Sequence, residues 1–352
     1  MSCPGCEQVP EQQQGAGTLY ILPAQPHAAA TIAEAVIGKG WPLEREGDSV
    51  LSVPVPEGEI GTVMGTLNEA LTPQEQAACL ANFFTEGDTW SPQALLATRP
   101  LDVLVARSQS QWLSDLIDEQ RLQMHFQPIV HADDGRTVFA YESLARGLDA
   151  DGGLISPGEL FPAARAANLM FHLDRAARVS AIRQSHQHGI RHPVFINFNP
   201  TAVYDPGFCL RTTFKEVRRL GIEPHNFVFE VVETDSVADE AHLKSILEEY
   251  RRQGFRIALD DLGAGFGSLT LMKQIRPDFI KLDRELVDGV HWDRYKAAIT
   301  SHLIEMGKTL QVQIIAEGIE QAEDWHWLRE RGVHYVQGFY FARPASPPPT
   351  LD

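Results

Sequence analysis

Two aspartates stand side by side in "ALDDLGAGFG" (258–267), at the end of an apolar run and ahead of three glycines. The stretch admits two chemistries: a glycine-rich turn that cradles a phosphate, or a carboxylate pair that holds metal. Spacing argues against the first, because Gly263, Gly265 and Gly267 make GxGxG rather than GxGxxG and follow the aspartates instead of opening directly off an apolar strand. Other apolar, β-prone runs also reach an ionisable or amide group in their last few positions: Gln127, Glu142, Asn197, Glu230, Lys281, Glu317 and Gln337. Strands that merely end in solvent account for one or two such residues, but scarcely for a set made mostly of carboxylates. Gathered in one mouth, these carboxylates would repel one another and raise their own pKa values unless cations neutralised them. Glu142, Asn197, Glu230, Asp260 and Asp261 offer oxygen and no histidine or cysteine, which suits Mg²⁺ or Mn²⁺ rather than zinc. Two consecutive aspartates could serve a pair of ions roughly 3.5–4 Å apart, a device that activates water in phosphoester hydrolysis. Lys281 would then be the one cation among anions, placed to orient or deprotonate the water or to balance charge in the transition state.

Something must bring together residues scattered over 200 positions or so. From residue 111 onward, strand-like runs such as "LQMHFQPIV", "HPVFINFNP", "NFVFEVVET" and "FRIALDD" alternate with helical stretches, among them 157–189 and 240–254. That alternation implies a largely parallel sheet with right-handed crossovers, and eight strands in about 240 residues is the size of a (β/α)8 barrel. In such a barrel the strand C-termini meet on one face, so the polar ends converge. Residues 19–110 read differently, as a small α+β domain of βαββα order: a strand at 19–25, a helix at 27–40, a strand pair, and a second helix stopped by Pro73. It offers no chemical constellation and reads as a regulatory or dimerising module. The expected division is a tail at 1–18, this domain at 19–110 and the barrel at 111–348.

With 352 residues, 43% of them hydrophobic and 22% charged, the chain is an ordinary globular protein in composition. A net charge of -17 argues against binding DNA or RNA polymers or anionic membranes, though bound cations can reverse the sign locally for a small anionic substrate. No apolar run reaches a membrane span, and the N-terminus lacks signal-peptide features, which makes the cytoplasm the expected location. Cys3 and Cys6 form a CxxC whose ligand partners are missing at matching spacing. His125 reads as a packed or pore-lining histidine, and "DWHWLRE" (324–330) as a helix packing Trp325 and Leu328.

The barrel segment resembles the EAL domain, the cyclic-di-GMP-specific phosphodiesterase domain of bacterial signalling, over roughly residues 112–346. The motifs that carry the resemblance, in order, are "FQPIV" (126–130), "YESLARG" (141–147), "INFN" (196–199), "FEVVE" (229–233), "DDLGAGFGSL" (260–269), "IKLD" (280–283), "AEGIE" (316–320) and "VQGFYFARP" (336–344). It implies a barrel whose first strand runs antiparallel to the rest. It implies two divalent metals, Mg²⁺ or Mn²⁺, on Glu142, Asn197, Glu230, Asp260 and Asp261, with Glu317 close by and Ca²⁺ opposing activity. Lys281 matches the lysine acting on the nucleophilic water, and Gln337 the glutamine of the last strand. Gln127, Leu144, Arg146, Asp283 and Glu320 fall where the family contacts the dinucleotide, and Glu233 matches the glutamate anchoring the loop after Asp261. The implied reaction opens cyclic di-GMP to linear pGpG, in a homodimer formed through helices near that loop. This chain departs from the family at Leu262, Ala264, Phe266, Gly267, Val232 and Gly147. None of these removes a metal ligand or the lysine, but they leave a nucleotide receptor with little turnover as the alternative to an active hydrolase.

Overall fold

A computed structural model describes residues 15–47, 49–88, 98–232, 240–263 and 268–351. They fall into two compact units, one of the described residues up to 121 with 149–173 and one of 122–148 with the described residues from 174 onward.

In the first unit, strands β1 (Gly17–Leu22), β2 (Glu44–Glu46), β3 (Val50–Val55), β4 (Leu80–Thr85) and β5 (Arg99–Pro100) form an antiparallel sheet in the order β2-β3-β1-β4-β5. Leu19 and Ile21 of β1 and Val53 of β3 share a core with Ala28, Ile32 and Val36, spaced at four on helix Pro26–Gly38, and with Val63, Met64 and Leu67 of helix Ile60–Ala70. The sequence reading found the first three strands and both helices. It missed β4, β5 and a short helix, Pro73–Ala78, that opens with a full capping box: Thr72 Oγ1 accepts from the Glu75 N–H while the Glu75 carboxylate accepts from the Thr72 N–H. Pro73 therefore begins a helix one residue after the cap, besides ending the one before it. Helix Leu101–Gln109 adds Leu101, Leu104 and Val105 to this core. It also reaches segment 149–173, where Arg107 Nε donates to the Ala167 carbonyl at 2.9 Å.

The second unit is the barrel. Strands β6 (Leu122–His131), β7 (Val138–Leu148), β8 (Val194–Asn197), β9 (Phe227–Val232), β10 (Arg256–Leu262), β11 (Phe279–Leu282), β12 (Gln313–Ala316) and β13 (Tyr335–Val336) pair in chain order, and β13 closes back on β6. Every pair is parallel except the two that involve β6, which runs antiparallel to both β7 and β13. One apolar side chain from each strand fills the interior: Ile129, Ala140, Phe195, Val228, Ala258, Phe279, Ile315 and Tyr335. Helices follow most strands. Arg294–Leu310, the longest after β11, is capped by Asp293, whose side chain accepts from the N–H groups of Tyr295 and Lys296. Helix Ala322–Glu330 packs Leu328 inward, and Trp325 donates its indole N–H to the Ala132 carbonyl at 2.8 Å, the structural role expected of Trp325 and Leu328. Among the described residues no helix is long and apolar enough to cross a membrane.

Candidate active site

Side chains of a strand alternate between faces, so a residue two positions beyond the apolar layer faces the same interior one step nearer the mouth. Two positions on from Ala140, Phe195, Val228, Ala258, Phe279, Ile315 and Tyr335 stand Glu142, Asn197, Glu230, Asp260, Lys281, Glu317 and Gln337. On β6 the chain runs the other way, and the matching residue is two positions before Ile129: Gln127. The eight polar residues named from the sequence thus form one ring above one apolar ring. The premise that each ends its strand needs correcting for two of them. Gln127 and Glu142 face each other in the middle of the long β6–β7 pair, which extends beyond the ring.

Lys281 lies at the centre of this ring and is fully buried. Its Nζ stands 2.6 Å from Glu230 Oε1, 2.6 Å from Glu317 Oε1, 3.2 Å from Asp260 Oδ1 and 3.5 Å from Glu142 Oε1. Glu142 is fixed from two further sides, accepting from Asn197 Nδ2 at 3.2 Å and from Gln337 Nε2 at 2.6 Å. Gln337 Nε2 is also shared with Gln127 Oε1 at 3.0 Å, and Gln127 Nε2 donates to the Ala342 carbonyl.

Adjacent strand residues normally face opposite ways, so Asp260 and Asp261 need a local device to reach one site. The β10–β11 register shifts between Leu259 and Leu262, and Asp261 takes a left-handed backbone with φ +55°. Such a bulge turns a side chain out of the pleat, and aspartate tolerates positive φ better than most residues. Oxygens of Asp260, Asp261 and Glu317 consequently lie within 4.8 Å of one another, as do those of Glu142, Glu230 and Asp260. Asp260 belongs to both groups.

Burial and crowding set the charges. Burial pushes Glu230 and Glu317 well above the usual carboxylate range, with Lys281 opposing and neighbouring carboxylates reinforcing the shift. Asp260 is raised for the same reasons, and Asp261 is pushed up to about 6 by burial and then by Asp260. Glu142 differs: burial works against its ionisation, yet Lys281, Gln337 and Asn197 together outweigh it and lower its pKa. Burial alone would lower the Lys281 pKa, but Asp260, Glu142, Glu230 and Glu317 drive it well above the ordinary lysine value. One cation does not neutralise five carboxylates. Both oxygens of Glu230 and Oε1 of Glu317 are buried without a well-directed hydrogen bond, although their charge is met by Lys281. All-oxygen donors, excess negative charge and undirected buried oxygens fit divalent metal, and this acidic cluster could hold it.

Beside the ring opens a cavity of about 230 Å³ lined by Gln127, Glu142, Leu144, Glu317, Glu320 and Gln337, six of the residues named from the sequence. It also has Arg284 and Phe339, which sequence reasoning passed over. Arg284 follows the IKLD run directly and pairs with Glu320 at 3.1 Å, and Phe339 lies two residues past Gln337, so proximity to the motifs was the available signal. Gly318 and Gly338 complete the wall. A Cβ on Gly338 would meet the Ile319 carbonyl oxygen at 2.0 Å, and Gly318 has φ +68° with the Arg284 side chain in its Cβ position. Asp283 caps helix Arg284–Val287 by accepting from the Glu285 N–H, and its charge is felt at Asp261. Arg146 donates to the Ala145 carbonyl and lies within electrostatic reach of Glu142. Leu262 ends β10 as a buried residue. Glu233, Ala264, Phe266 and Gly267 lie outside the described residues.

A model of the EAL domain matches residues 110–344. The chain belongs to the EAL-domain family. Its EAL domain is 31% identical over 236 residues to a probable cyclic di-GMP phosphodiesterase, PdeB, of Escherichia coli K12, a match covering 66% of this chain and 44% of that protein. It is 30% identical over 247 residues to the bifunctional diguanylate cyclase/cyclic di-GMP phosphodiesterase MucR of Pseudomonas aeruginosa, covering 68% and 36% respectively. The chain therefore spans less than half the length of these curated relatives. Among solved structures, a standalone EAL protein of Vibrio cholerae O395 in its c-di-GMP-bound form is 32% identical with a TM-score of 0.59, covering 66% of this chain and 95% of that one.

Proposed function

We propose that this EAL domain hydrolyses cyclic di-GMP to linear pGpG. The observation that carries the proposal is the ring itself: Lys281 buried among four carboxylates, with Asp260 common to two three-carboxylate groups. The nucleotide seen in the Vibrio cholerae structure, and the names of the E. coli and P. aeruginosa relatives, support this substrate. Glu142, Asn197, Glu230, Asp260 and Asp261 would hold two ions, Mg²⁺ or Mn²⁺, which when bound supply charge neutralisation and a more acidic water. Gln127, Leu144, Glu320 and Gln337, with Arg146 and Asp283 at the rim, orient the dinucleotide so that one phosphodiester presents its phosphorus to the ring. Lys281 directs the attacking water and offsets the charge that builds on the phosphoryl oxygens. A carboxylate of the ring takes the water's proton, the new P–O bond forms as the ester bond to the 3′ oxygen breaks, and a proton passes to that oxygen so that it leaves as a hydroxyl. A homodimer paired through helices near the Asp261 loop is part of the same reading.

Purified protein incubated with cyclic di-GMP and Mn²⁺, followed by chromatography, tests this directly. Conversion to pGpG that is lost in Lys281→Ala and Glu142→Ala is expected. Tight nucleotide binding without product over a broad range of enzyme concentration would make the domain a receptor instead.

A further inference from the structure

The acidic ring lies toward the strand C-termini. The opposite end of the same barrel is built differently. Two positions before Ala258 and Ile315 stand Arg256 and Gln313, which place polar groups one step below the apolar ring. Around them opens a cavity of about 920 Å³, lined also by Met272, Lys273, Arg276, Phe279, Met306 and Leu310. Its lining comes from helices Ser268–Ile275 and Arg294–Leu310 and from the first residues of β10, β11 and β12. Leu269 and Leu310 are left more than half exposed at the edge, at 58% and 55%.

A space of this size, apolar with a few polar groups, has the character of a small-molecule site. Its charge gives the chemistry of the ligand. The chain carries -17, yet this cavity collects Arg256, Lys273 and Arg276 against the single carboxylate of Asp278. That carboxylate accepts the Ile257 N–H at 2.8 Å and its charge is felt at Arg256, which leaves Lys273 and Arg276 as the excess positive charge. Arg256 is half-buried, donates Nε to the His225 carbonyl at 2.8 Å, and lies over the Phe279 ring at 5.2 Å, so its guanidinium is held in place. No hydrogen bond or ion pair is made by the side chain of Lys273 or Arg276 among the described residues, although the Arg276 carbonyl accepts from Arg251 at 2.8 Å. We propose that this cavity is a second binding site, for a small amphipathic organic anion: an aromatic or short acyl body against Met272, Phe279 and Met306, and a carboxylate or sulfonate head met by Arg256, Lys273 and Arg276. The site is independent of the activity proposed for the acidic ring and lies at the other end of the barrel.

Two probes test it on the full chain: anilinonaphthalene sulfonate followed by fluorescence, and decanoate followed by calorimetry, with decylammonium as the cationic control. Saturable one-to-one uptake of both anions is expected, with decylammonium excluded. Arg276→Glu combined with Lys273→Glu, both exposed positions, should weaken uptake at least tenfold, and Met272→Trp, which fills the cavity, should abolish it. Leu310→Trp blocks the entrance from an exposed position and should do the same if Met272→Trp fails to fold. Excess cyclic di-GMP should leave uptake unchanged. Equal binding of the cation, uptake indifferent to both the charge-reversed and the filled variants, or no saturable uptake would each overturn the proposal. So would uptake confined to monomer and lost as the chain self-associates by light scattering, which would give the cavity to a second copy.

Discussion

Four carboxylates within 3.5 Å of Lys281 Nζ hold the lysine as firmly as the lysine holds them. Removing the cation leaves buried like charges with nothing between them, and breaking a buried ionic cluster from one side typically costs about 3–5 kcal/mol. Lys281→Met should therefore lower the urea midpoint in chelator and recover part of that loss when Mn²⁺ is added, because a divalent ion can replace the missing charge. Turnover should not recover with it, and should stay down by at least about 10²-fold, the usual consequence of losing one transition-state donor. If Lys281→Met hydrolyses cyclic di-GMP at the parent rate once metal is supplied, the lysine is structural. Gly338 makes the complementary prediction about backbone. An alanine Cβ there would stand 2.0 Å from the Ile319 carbonyl oxygen and 2.4 Å from its nitrogen, and neither can move as a side chain could. Gly338→Ala should destabilise the barrel by about 1–3 kcal/mol by urea unfolding, the range typical of overpacking.

Elements decide whether such residues meet, and not all of that was legible beforehand. The ring could be read from residue types because a parallel barrel sends every second side chain inward, and seven strands obey that rule in the same direction. Gln127 and Glu142 were picked out by their polar groups but put in the wrong place on their strands, because the length of a two-stranded extension leaves no mark in an apolar pattern. The bulge at Asp260 and Asp261 was equally hidden: two adjacent aspartates look the same in sequence whether they face apart or together. Arg284 went unnoticed because its role depends on Glu320 and Gly318, across a turn that only folding brings close. Away from the site, Glu216 on helix Arg211–Leu220 accepts from Arg183 of helix Met170–Gln187 at 2.7 Å and from Arg219 at 2.6 Å, tying two helices behind the barrel wall. Hydrogen bonding to Arg219 leads the causes that hold its pKa down to about 2 from an ordinary 4.5. A depressed carboxylate stabilises the fold above its unfolded pKa and loses that contribution as the pH falls through its folded one. Both arginines are substantially exposed, so the stabilisation is about 1–2 kcal/mol, below what the shift alone would give. Glu216→Gln should thus be less stable than the parent at pH 7, with the difference shrinking between about pH 4.5 and pH 2. Urea midpoints at pH 7 and pH 3 that differ by the same amount would remove the ion pairs as its cause.

At the scale of the whole molecule, 47 acidic residues face 30 basic ones, and five of those carboxylates crowd around a single lysine in one buried ring. The long-range field draws small cations toward the protein and repels an anionic nucleotide, so metal loading should precede productive nucleotide binding and should weaken as ionic strength rises. A ligand that binds only the folded state stabilises it by mass action, about 2.7 kcal/mol at a hundred times its dissociation constant. Adding Mn²⁺ or Mg²⁺ to protein stripped with chelator should therefore raise the thermal midpoint in a concentration-dependent way. Ca²⁺, another oxygen-seeking ion but one that tolerates looser coordination, should raise the midpoint without supporting turnover. The two readouts separate holding a metal from using it. Glu230→Gln tests whether the effect belongs to the ring: it removes one charge from the group with Glu142 and Asp260 while keeping the side chain's shape. The thermal shift should fall sharply in Glu230→Gln, and product formation should fall with it. A midpoint that still climbs with Mn²⁺ in the variant as it does in the parent would place the metal elsewhere on this acidic surface, and the hydrolytic reading would lose its physical basis.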